Sequence, residues 1–337
     1  MGLAQGPGLA GRFLSATFAT FVRLLRSRSW RGTLFPCVPQ RIKNVPLWAP
    51  YAAPPRNPSR WGTPPPGRMG RCEEPPAAPL VHGFISCGMR RVRRVKLTVA
   101  YDGTAYAGWQ MQPNGTSVQS VMEGALARIL QEPVRLRAAG RTDAGVHARE
   151  QVADFADSGK RDLETIVRGG NALLPGGIRI LSAEGVPEEF DARGHATEKE
   201  YRYFLYLAPV PSPFLLRYAW HIGSALDIDA IRGGLSHLTG EHDFTSFRGQ
   251  GCTAKSPVRS ILRTEVTRHD VPGLWSIDVA GGGFLRHMVR NIVGTVVDAG
   301  KGKQAPDRVG EILRARDRSA AGVTAPAHGL FLWRVAY

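Results

Sequence analysis

The sequence predicts an α+β fold made of two halves, residues 89–190 and 191–337, each with the element order β-α-β-β-α-β. Three observations predict it: apolar and polar residues alternate in segments of strand length, a serine precedes residues at helical spacing, and the element order recurs. The 337 residues are 43% hydrophobic and 21% charged, which is typical of a soluble globular protein with one large or two ordinary domains.

The first half opens with a half-buried strand, since Val95, Leu97, Val99 and Tyr101 alternate with Lys96, Thr98 and Ala100. Ser117 can cap a helix whose apolar residues recur at helical spacing up to residue 129. We then expect strands near 134–139 and 151–156, a helix near 162–174 and a strand at 178–183. This is the order of the ferredoxin-like motif.

The second half repeats this order without clear residue identity to the first. We expect strands at 201–207, 258–268, 274–279 and 330–336, and helices at 228–238, 285–299 and 306–316. The repeat therefore concerns element order only.

Residues 1–88 differ in composition and are expected to be a disordered extension rich in proline and arginine. They hold 14 of the 25 prolines and no sustained pattern after about residue 30. Residues 13–25 place apolar side chains on one helical face with arginine and serine opposite, as in an organellar transit peptide. Alternatively, Met89 is the natural start and the upstream residues are an over-extended reading frame.

The net charge of +16 is the electrostatic signature of a protein that binds a polyanion such as nucleic acid. Residues 1–88 carry 11 Lys and Arg against two acids, so more than half of the excess lies outside the predicted fold. The remaining chain is still basic.

Other classes of protein are disfavoured. Three of the four cysteines (Cys37, Cys72 and Cys87) lie before residue 89, and none has Cys-x-x-Cys spacing, so neither a disulfide framework nor a metal site is indicated. No stretch approaches the roughly 18 apolar residues of a membrane span. The glycines near Lys301 do not have phosphate-loop spacing, and the zinc deaminase signature is absent.

The run Gly140-Arg141-Thr142-Asp143-Ala144-Gly145-Val146-His147-Ala148 joins two predicted strands, and its glycines allow a tight turn. Arg141 could hold the Asp143 carboxylate in place. From these residues alone, an ordinary surface ion pair or a local cap is the favoured explanation of the pair.

This run resembles the catalytic segment of TruA-type tRNA pseudouridine synthases. Further segments resemble that family in the family's order: Tyr-Asp-Gly-Thr at 101–104, Gly-Trp-Gln at 108–110, Asn-Ala-Leu-Leu-Pro at 171–175, Phe-Asp-Ala-Arg at 190–193, Lys-Glu-Tyr-Arg-Tyr at 199–203, Asp-Phe-Thr-Ser-Phe at 243–247, and Phe-Leu-Arg-His-Met-Val-Arg-Asn-Ile-Val-Gly at 284–294. The resemblance covers about residues 93–337.

The resemblance implies roles for single residues. Asp143 is the expected nucleophile, Arg290 the cation paired with it, and Arg141 a helper in flipping and holding the target nucleotide. Tyr201 is expected to stack on the target uracil, although a strand tyrosine is by default more often packing. Three further residues are expected to contact RNA: Arg286, His287 and Arg193. Arg286 and Arg290 are predicted to share one flank of the helix at 285–299.

The resemblance also implies the activity, which is isomerisation of uridine to pseudouridine at positions 38, 39 and 40 in the anticodon arm of tRNAs. Neither metal nor cofactor is expected, because a carboxylate and base flipping suffice. We further expect a cytoplasmic homodimer, or an organellar protein if the transit peptide is genuine, with a mostly antiparallel sheet shared by both halves and the site in a cleft between them. The alternative function is a catalytically silent RNA-binding or tRNA-folding protein.

Overall fold

The computed structural model describes residues 93–337, so the expectations for residues 1–88 lie outside the described part of the chain. Its strands are β1 (Arg93–Tyr101), β2 (Arg137–Ala138), β3 (His147–Asp157), β4 (Ile178–Val186), β5 (Glu198–Tyr206), β6 (Trp220–His221), β7 (Gly240–Asp243), β8 (Val258–Arg268), β9 (Leu274–Gly281) and β10 (Leu330–Ala336). They form a single sheet in the order β4-β1-β3-β10-β5-β9-β8-β7, while β2 pairs with β3 and β6 with β5.

Most neighbouring strands of this sheet run antiparallel. The exceptions in the described residues are the pair β10 and β3 and the pair β5 and β6, which run parallel. Contact between β10 and β3 is short, with Phe331 opposite His147 and Leu332 opposite Ala148. The predicted mixed α/β architecture with a large, mostly antiparallel sheet is therefore confirmed, and this short parallel contact joins strands from the two ends of the described chain.

Strand β1 lies in the interior of the sheet, as its sequence alternation predicts. Val95, Leu97 and Val99 are fully buried and Tyr101 is 4% exposed. Leu97 lies opposite Ala153 of β3 on one side and Ala183 of β4 on the other. Every second side chain of the strand thus enters one core.

The described helices are α1 (Val118–Leu130), α2 (Leu163–Leu173), α3 (Ile228–Ser236), α4 (Met288–Gly300) and α5 (Arg308–Ala315). Each contributes buried side chains to the same core as β1, including Met122, Ile166, Ile231, Ile292 and Val309. Helical spacing of apolar residues places them on one face, which packs against the sheet. Burial of these faces is the main force that holds the helices in place.

The helix starts follow their capping residues. The Ser117 hydroxyl accepts a hydrogen bond from the Ser120 amide, and the Ser120 hydroxyl accepts one from the Ser117 amide. This capping box fixes the start of α1. Asp162 caps α2 by accepting a hydrogen bond from the Thr165 amide, and Asp227 caps α3 by accepting one from the Ala230 amide. By contrast, α4 has no side-chain cap, and His287 before it adopts a left-handed φ of 59°.

Strand β10 separates two cores. Leu330 and Leu332 belong to the main core, whereas Phe331 and Trp333 belong to a smaller core that includes Phe204 and Leu215. Because successive side chains of a strand point to opposite faces, this alternation places the smaller core on the other face of the sheet.

The element boundaries differ from the sequence prediction in two places that matter. The strand expected at 134–139 is reduced to Arg137–Ala138. The helix expected at 285–299 begins only at Met288, because the left-handed backbone of His287 cannot continue a right-handed helix. Arg286 consequently lies before the helix, and the prediction that it shares a helical flank with Arg290 is wrong.

Candidate active site

The loop between β2 and β3 carries the run singled out from the sequence. Gln151 donates a hydrogen bond to the Gly140 carbonyl, and the Trp109 amide donates one to the Thr142 carbonyl at 3.1 Å. Gly108 beside it has a φ of +93°, and a methyl group at Gly108 would lie 2.5 Å from the Thr142 carbonyl oxygen. The loop therefore packs directly against the backbone at Gly108, a position that only glycine fits.

Asp143 projects from this loop towards two cationic or titratable side chains. Its Oδ2 lies 3.5 Å from Nη1 of Arg290 and 3.6 Å from Nε2 of His287. The three side chains are 28%, 15% and 26% exposed respectively, so the cluster is partly shielded from water while its centre stays accessible. Asp143 and Arg290, far apart in sequence, are thus in ionic contact.

Arg290 is held by the main chain of a neighbouring segment. Its Nε donates a hydrogen bond of 2.7 Å to the Ala325 carbonyl, and the Ala325 amide donates to the Arg290 carbonyl at 3.1 Å. Arg290 also stands in the first turn of α4, whose free amides carry partial positive charge. Held in this way, the guanidinium lies 3.5 Å from the Asp143 carboxylate.

Tyr201 lies in the middle of β5, opposite Val279 of β9 and Leu332 of β10, and is 8% exposed. Its ring meets that of Phe284 edge to face at 5.1 Å. Burial raises the pKa of the Tyr201 phenol well above its usual value, and the negative charge of Asp143 adds to this effect. The hydroxyl therefore remains protonated and faces the catalytic loop.

His147 ends the loop and ties it to the second half of the chain. Its side chain is 1% exposed, and its Nε2 donates to the carbonyls of Arg217 and His328, both at 3.1 Å. The ring stacks on Phe331 at 4.6 Å. Contact with His147 is the largest of the effects that lower the pKa of the Asp102 carboxyl.

The sequence reasoning assigned no role to His147. Its only sequence signal was its place directly after the loop, and its carbonyl partners come from segments 70 and 181 residues away.

Arg141 does not hold Asp143. It is exposed, and among the described residues the side chains within ion-pair distance of Asp143 are those of Arg290 and His287. The suggestion that Arg141 fixes the carboxylate is therefore wrong, because the described ion pairs of Asp143 do not include Arg141. An exposed side chain remains compatible with the other expected role, contact with the flipped nucleotide.

The residues expected to contact RNA lie in different environments. Arg286 is exposed and lies beside Gly251: a methyl group added at Gly251 would be 3.0 Å from Nη1 of Arg286. His287, in contrast, lies against the Asp143 carboxylate. Arg193 is exposed, and its amide donates to Asp191.

Lys199, also not assigned a role from the sequence, lies near the loop: a methyl group at Gly140 would be 3.9 Å from its Cδ. Burial is the main cause that lowers the pKa of Lys199, and the charge of Arg193 lowers it further.

In the range 93–337 no three His, Cys, Asp or Glu side chains are grouped closely enough to hold a metal ion. None of the helices in that range is both long and apolar enough to cross a membrane.

Residues 97–193 and 235–337 match the family described as tRNA pseudouridine synthase. Proteins named tRNA pseudouridine synthase A are similar over most of their length. The protein of Pelobacter propionicus is 50% identical over 246 residues, which is 73% of this chain and all of that protein. The protein of Geobacter sulfurreducens is 47% identical with the same coverage. The protein of Myxococcus xanthus is 44% identical over 72% of this chain and 92% of its own.

Among solved structures, the crystal structure of the archaeal box H/ACA sRNP Nop10-Cbf5 complex is 14% identical and covers 60% of this chain and 44% of that chain, with a TM-score of 0.29. A likeness this distant carries no argument. The family match spans both the loop with Asp143 and the helix with Arg290, and the identities extend over nearly the whole described chain. The chain belongs to the tRNA pseudouridine synthase family.

Proposed function

We propose that this protein isomerises uridine to pseudouridine in tRNA, at positions 38, 39 and 40 of the anticodon arm. The observation that carries the proposal is the Asp143 carboxylate, held by Arg290 at 3.5 Å on the loop that faces the buried Tyr201. Membership of the family supports the reaction class, and the resemblance of the sequence to TruA-type enzymes supports the three positions.

The reaction moves the uracil from an N–C to a C–C bond with the same sugar. Asp143 attacks or stabilises the sugar while the bond from C1′ to N1 breaks, and the base then rejoins through C5. Arg290 holds the carboxylate in a fixed orientation. The flat ring of Tyr201 keeps the detached uracil from leaving, and its protonated hydroxyl can donate a hydrogen bond.

The target nucleotide must first leave its stack, since its reacting atoms are inaccessible inside a stem. Extrusion costs a few kcal/mol, which contacts between cations and the phosphate backbone can supply. Arg141, Arg286 and Arg193 are exposed and suited to that role. Binding should therefore weaken as salt increases.

The fold of each half is part of the proposal. We infer two ferredoxin-like halves, 89–190 and 191–337, from the strand neighbours β4-β1-β3 with β2 beside β3, and β10-β5-β9-β8. Both follow the same pattern once β6 and β7 are left out: the last strand of the half lies on one side of the first strand and the penultimate strand on the other. Asp143 comes from the first half and Tyr201 and Arg290 from the second, which favours a site in the cleft between them.

A homodimer and a cytoplasmic location are proposed from the resemblance to the family. Light scattering of the purified protein tests the dimer. Mass spectrometry of the protein tests the start of the chain, because a peptide from residues 1–60 would contradict a start at Met89.

Complementation tests the activity. In cells that lack this protein, we expect uridine in place of pseudouridine at positions 38–40, and the wild-type chain should restore pseudouridine while Asp143→Ala does not. Asp229→Ala is the matched control, because that side chain is 90% exposed and pairs only with Arg232 in the described structure. Pseudouridine-specific chemical mapping gives the readout.

Full restoration by Asp143→Ala would contradict the role of the nucleophile. Restoration by neither form, with tRNA still bound by the purified protein, would favour the alternative of a catalytically silent RNA-binding protein.

A further inference from the structure

We propose that His287 is the base that removes the C5 proton of the rejoined uracil and returns a proton to N1. The inference rests on the proposed function, because it assigns a step of the same isomerisation. It differs from the contact with RNA that the sequence suggested for this residue.

The chemistry of the product requires such a base. When C5 attacks C1′, the ring keeps its hydrogen at C5 and has a double bond between C6 and N1. The C5–H bond must then break, its electron pair forms the double bond between C5 and C6, and the pair of the former C6–N1 double bond moves to N1, which takes a proton. His287 gains one proton and gives one back, so the step is balanced without a cofactor.

The position of His287 suits this step. Its Nε2 lies 3.6 Å from Oδ2 of Asp143, the carboxylate that meets the sugar at C1′. C5 is bonded to C1′ after rejoining, so its hydrogen is carried to within reach of a group that touches Asp143. The side chain is 26% exposed, and within residues 93–337 its ion-pair contact is with Asp143.

The backbone of His287 is held in an unfavourable conformation. Its φ of 59° is rare for a residue other than glycine, and such residues cluster at functional sites. Gly249 leaves the space that this conformation needs, since a methyl group there would lie 2.8 Å from Nδ1 of His287 and 2.9 Å from the Arg286 carbonyl oxygen. The Gly249 amide also donates to that carbonyl at 2.8 Å. The fold thus maintains a costly geometry that aims the ring at Asp143.

The charges around His287 keep it neutral. Burial is the largest cause that lowers its pKa, and Arg290, Arg286 and Arg318 lower it further, while Asp143 acts in the opposite direction. Because the pKa lies below the usual 6.5, the ring is an unprotonated acceptor at pH 7 and becomes protonated as the pH falls through that lowered pKa.

The other groups at Asp143 are poorer proton acceptors. Tyr201 is buried and protonated, because its pKa is raised well above 10. Arg290 remains a cation and cannot accept a proton. Of the described side chains in ionic contact with Asp143, His287 alone can take a proton at neutral pH.

His287→Gly tests the proposal, because glycine fits the left-handed backbone and removes only the imidazole. The substrate is a tRNA transcript carrying either ordinary or 5-deuterated uridine at the target position. We expect single-turnover formation of pseudouridine to fall about 10²- to 10⁴-fold, the range for loss of a general base. tRNA affinity should stay the same, a deuterium isotope effect should appear or increase, and added imidazole should restore part of the rate.

The pH profile provides a second readout. The wild-type rate should fall on the acid side as His287 becomes protonated, whereas the rate of His287→Gly should lose this dependence. Gln131→Gly is the matched control: its φ of 55° is also left-handed, but it ends α1 away from the site, so its rate and isotope effect should equal those of the wild type.

The outcomes separate this inference from the proposed function. A wild-type protein that forms no pseudouridine contradicts the proposed function itself. If the wild type is active and His287→Gly matches it in rate and isotope effect, His287 is not the base. A slower variant with an unchanged isotope effect, an unchanged pH profile and no imidazole rescue also overturns the proposal, because His287 then only holds Asp143.

Discussion

Gly108→Ala should disturb the catalytic loop through its backbone alone. Gly108 has a φ of +93°, and the added methyl group would lie 2.5 Å from the Thr142 carbonyl oxygen and 3.0 Å from the Asp143 carbonyl carbon. Real contacts of this kind exceed 3.0 Å, so the loop must move by about 0.5 Å or the Gly108 segment must shift by the same amount.

The magnitude follows from two effects. A residue other than glycine at this φ costs about 1 to 2 kcal/mol, and forcing extra atoms into a packed contact costs about 1 to 3 kcal/mol more. We therefore expect the free energy of unfolding to fall by about 2 to 5 kcal/mol. Because a 1 Å misplacement of a reacting group can cost about 100-fold in rate, a shift of about half that size should lower the catalytic rate constant by about 10-fold or more.

The assay combines urea unfolding with single-turnover formation of pseudouridine at saturating tRNA. Gly124→Ala is the control, because Gly124 lies inside α1 and no atom is within 4 Å of an added methyl group. Alanine should stabilise that helix by up to about 1 kcal/mol and leave the rate unchanged. An unchanged rate and an unchanged unfolding midpoint in Gly108→Ala would refute the reasoning that this glycine positions Asp143.

Two further substitutions test the site and the core. Arg290→Met should lower the catalytic rate constant by about 10- to 1,000-fold, since unit charges 3.5 Å apart attract by about 1 kcal/mol in water and about 5 kcal/mol near a protein surface. Arg290→Lys should lose less because it keeps the charge, and equal single-turnover rates for both variants would contradict the ionic role. Leu97→Ala should lower the free energy of unfolding, measured by urea titration, by about 2 to 5 kcal/mol, because Leu97 is fully buried. In the control Leu262→Ala, the side chain is 52% exposed and the free energy of unfolding should change by no more than about 0.5 kcal/mol. A similar loss in both variants would show that burial does not set the effect.

Local pattern predicted the elements well where one face is buried. Strands β8 and β10 have the predicted boundaries, and α1 starts at its predicted cap, Ser117. The pattern fails where a distant contact decides the backbone. The helix expected from residue 285 starts only at Met288, because Gly249, earlier in the sequence, leaves space for the left-handed backbone of His287.

The candidate site shows the same division. The loop with Asp143 and its likeness to a catalytic segment were visible in the sequence, and so was the choice of Arg290 as partner. The contact between His287 and Asp143 was not visible in the sequence, because it depends on the left-handed backbone of His287, which residue order does not reveal. Arg141, two residues from Asp143, looked like the nearer cation, but neighbours in a loop need not point the same way.

The sequence by itself determined the identity of most elements, the buried face of each and the segment that carries Asp143, because these depend on periodicity and local motifs. The tertiary structure decided which cations reach Asp143, which glycines support the loop, and how the first half meets the second at β3 and β10. These features arise from contacts between residues that lie far apart in the sequence. Only the folded chain brings such residues together, so local sequence patterns cannot specify them.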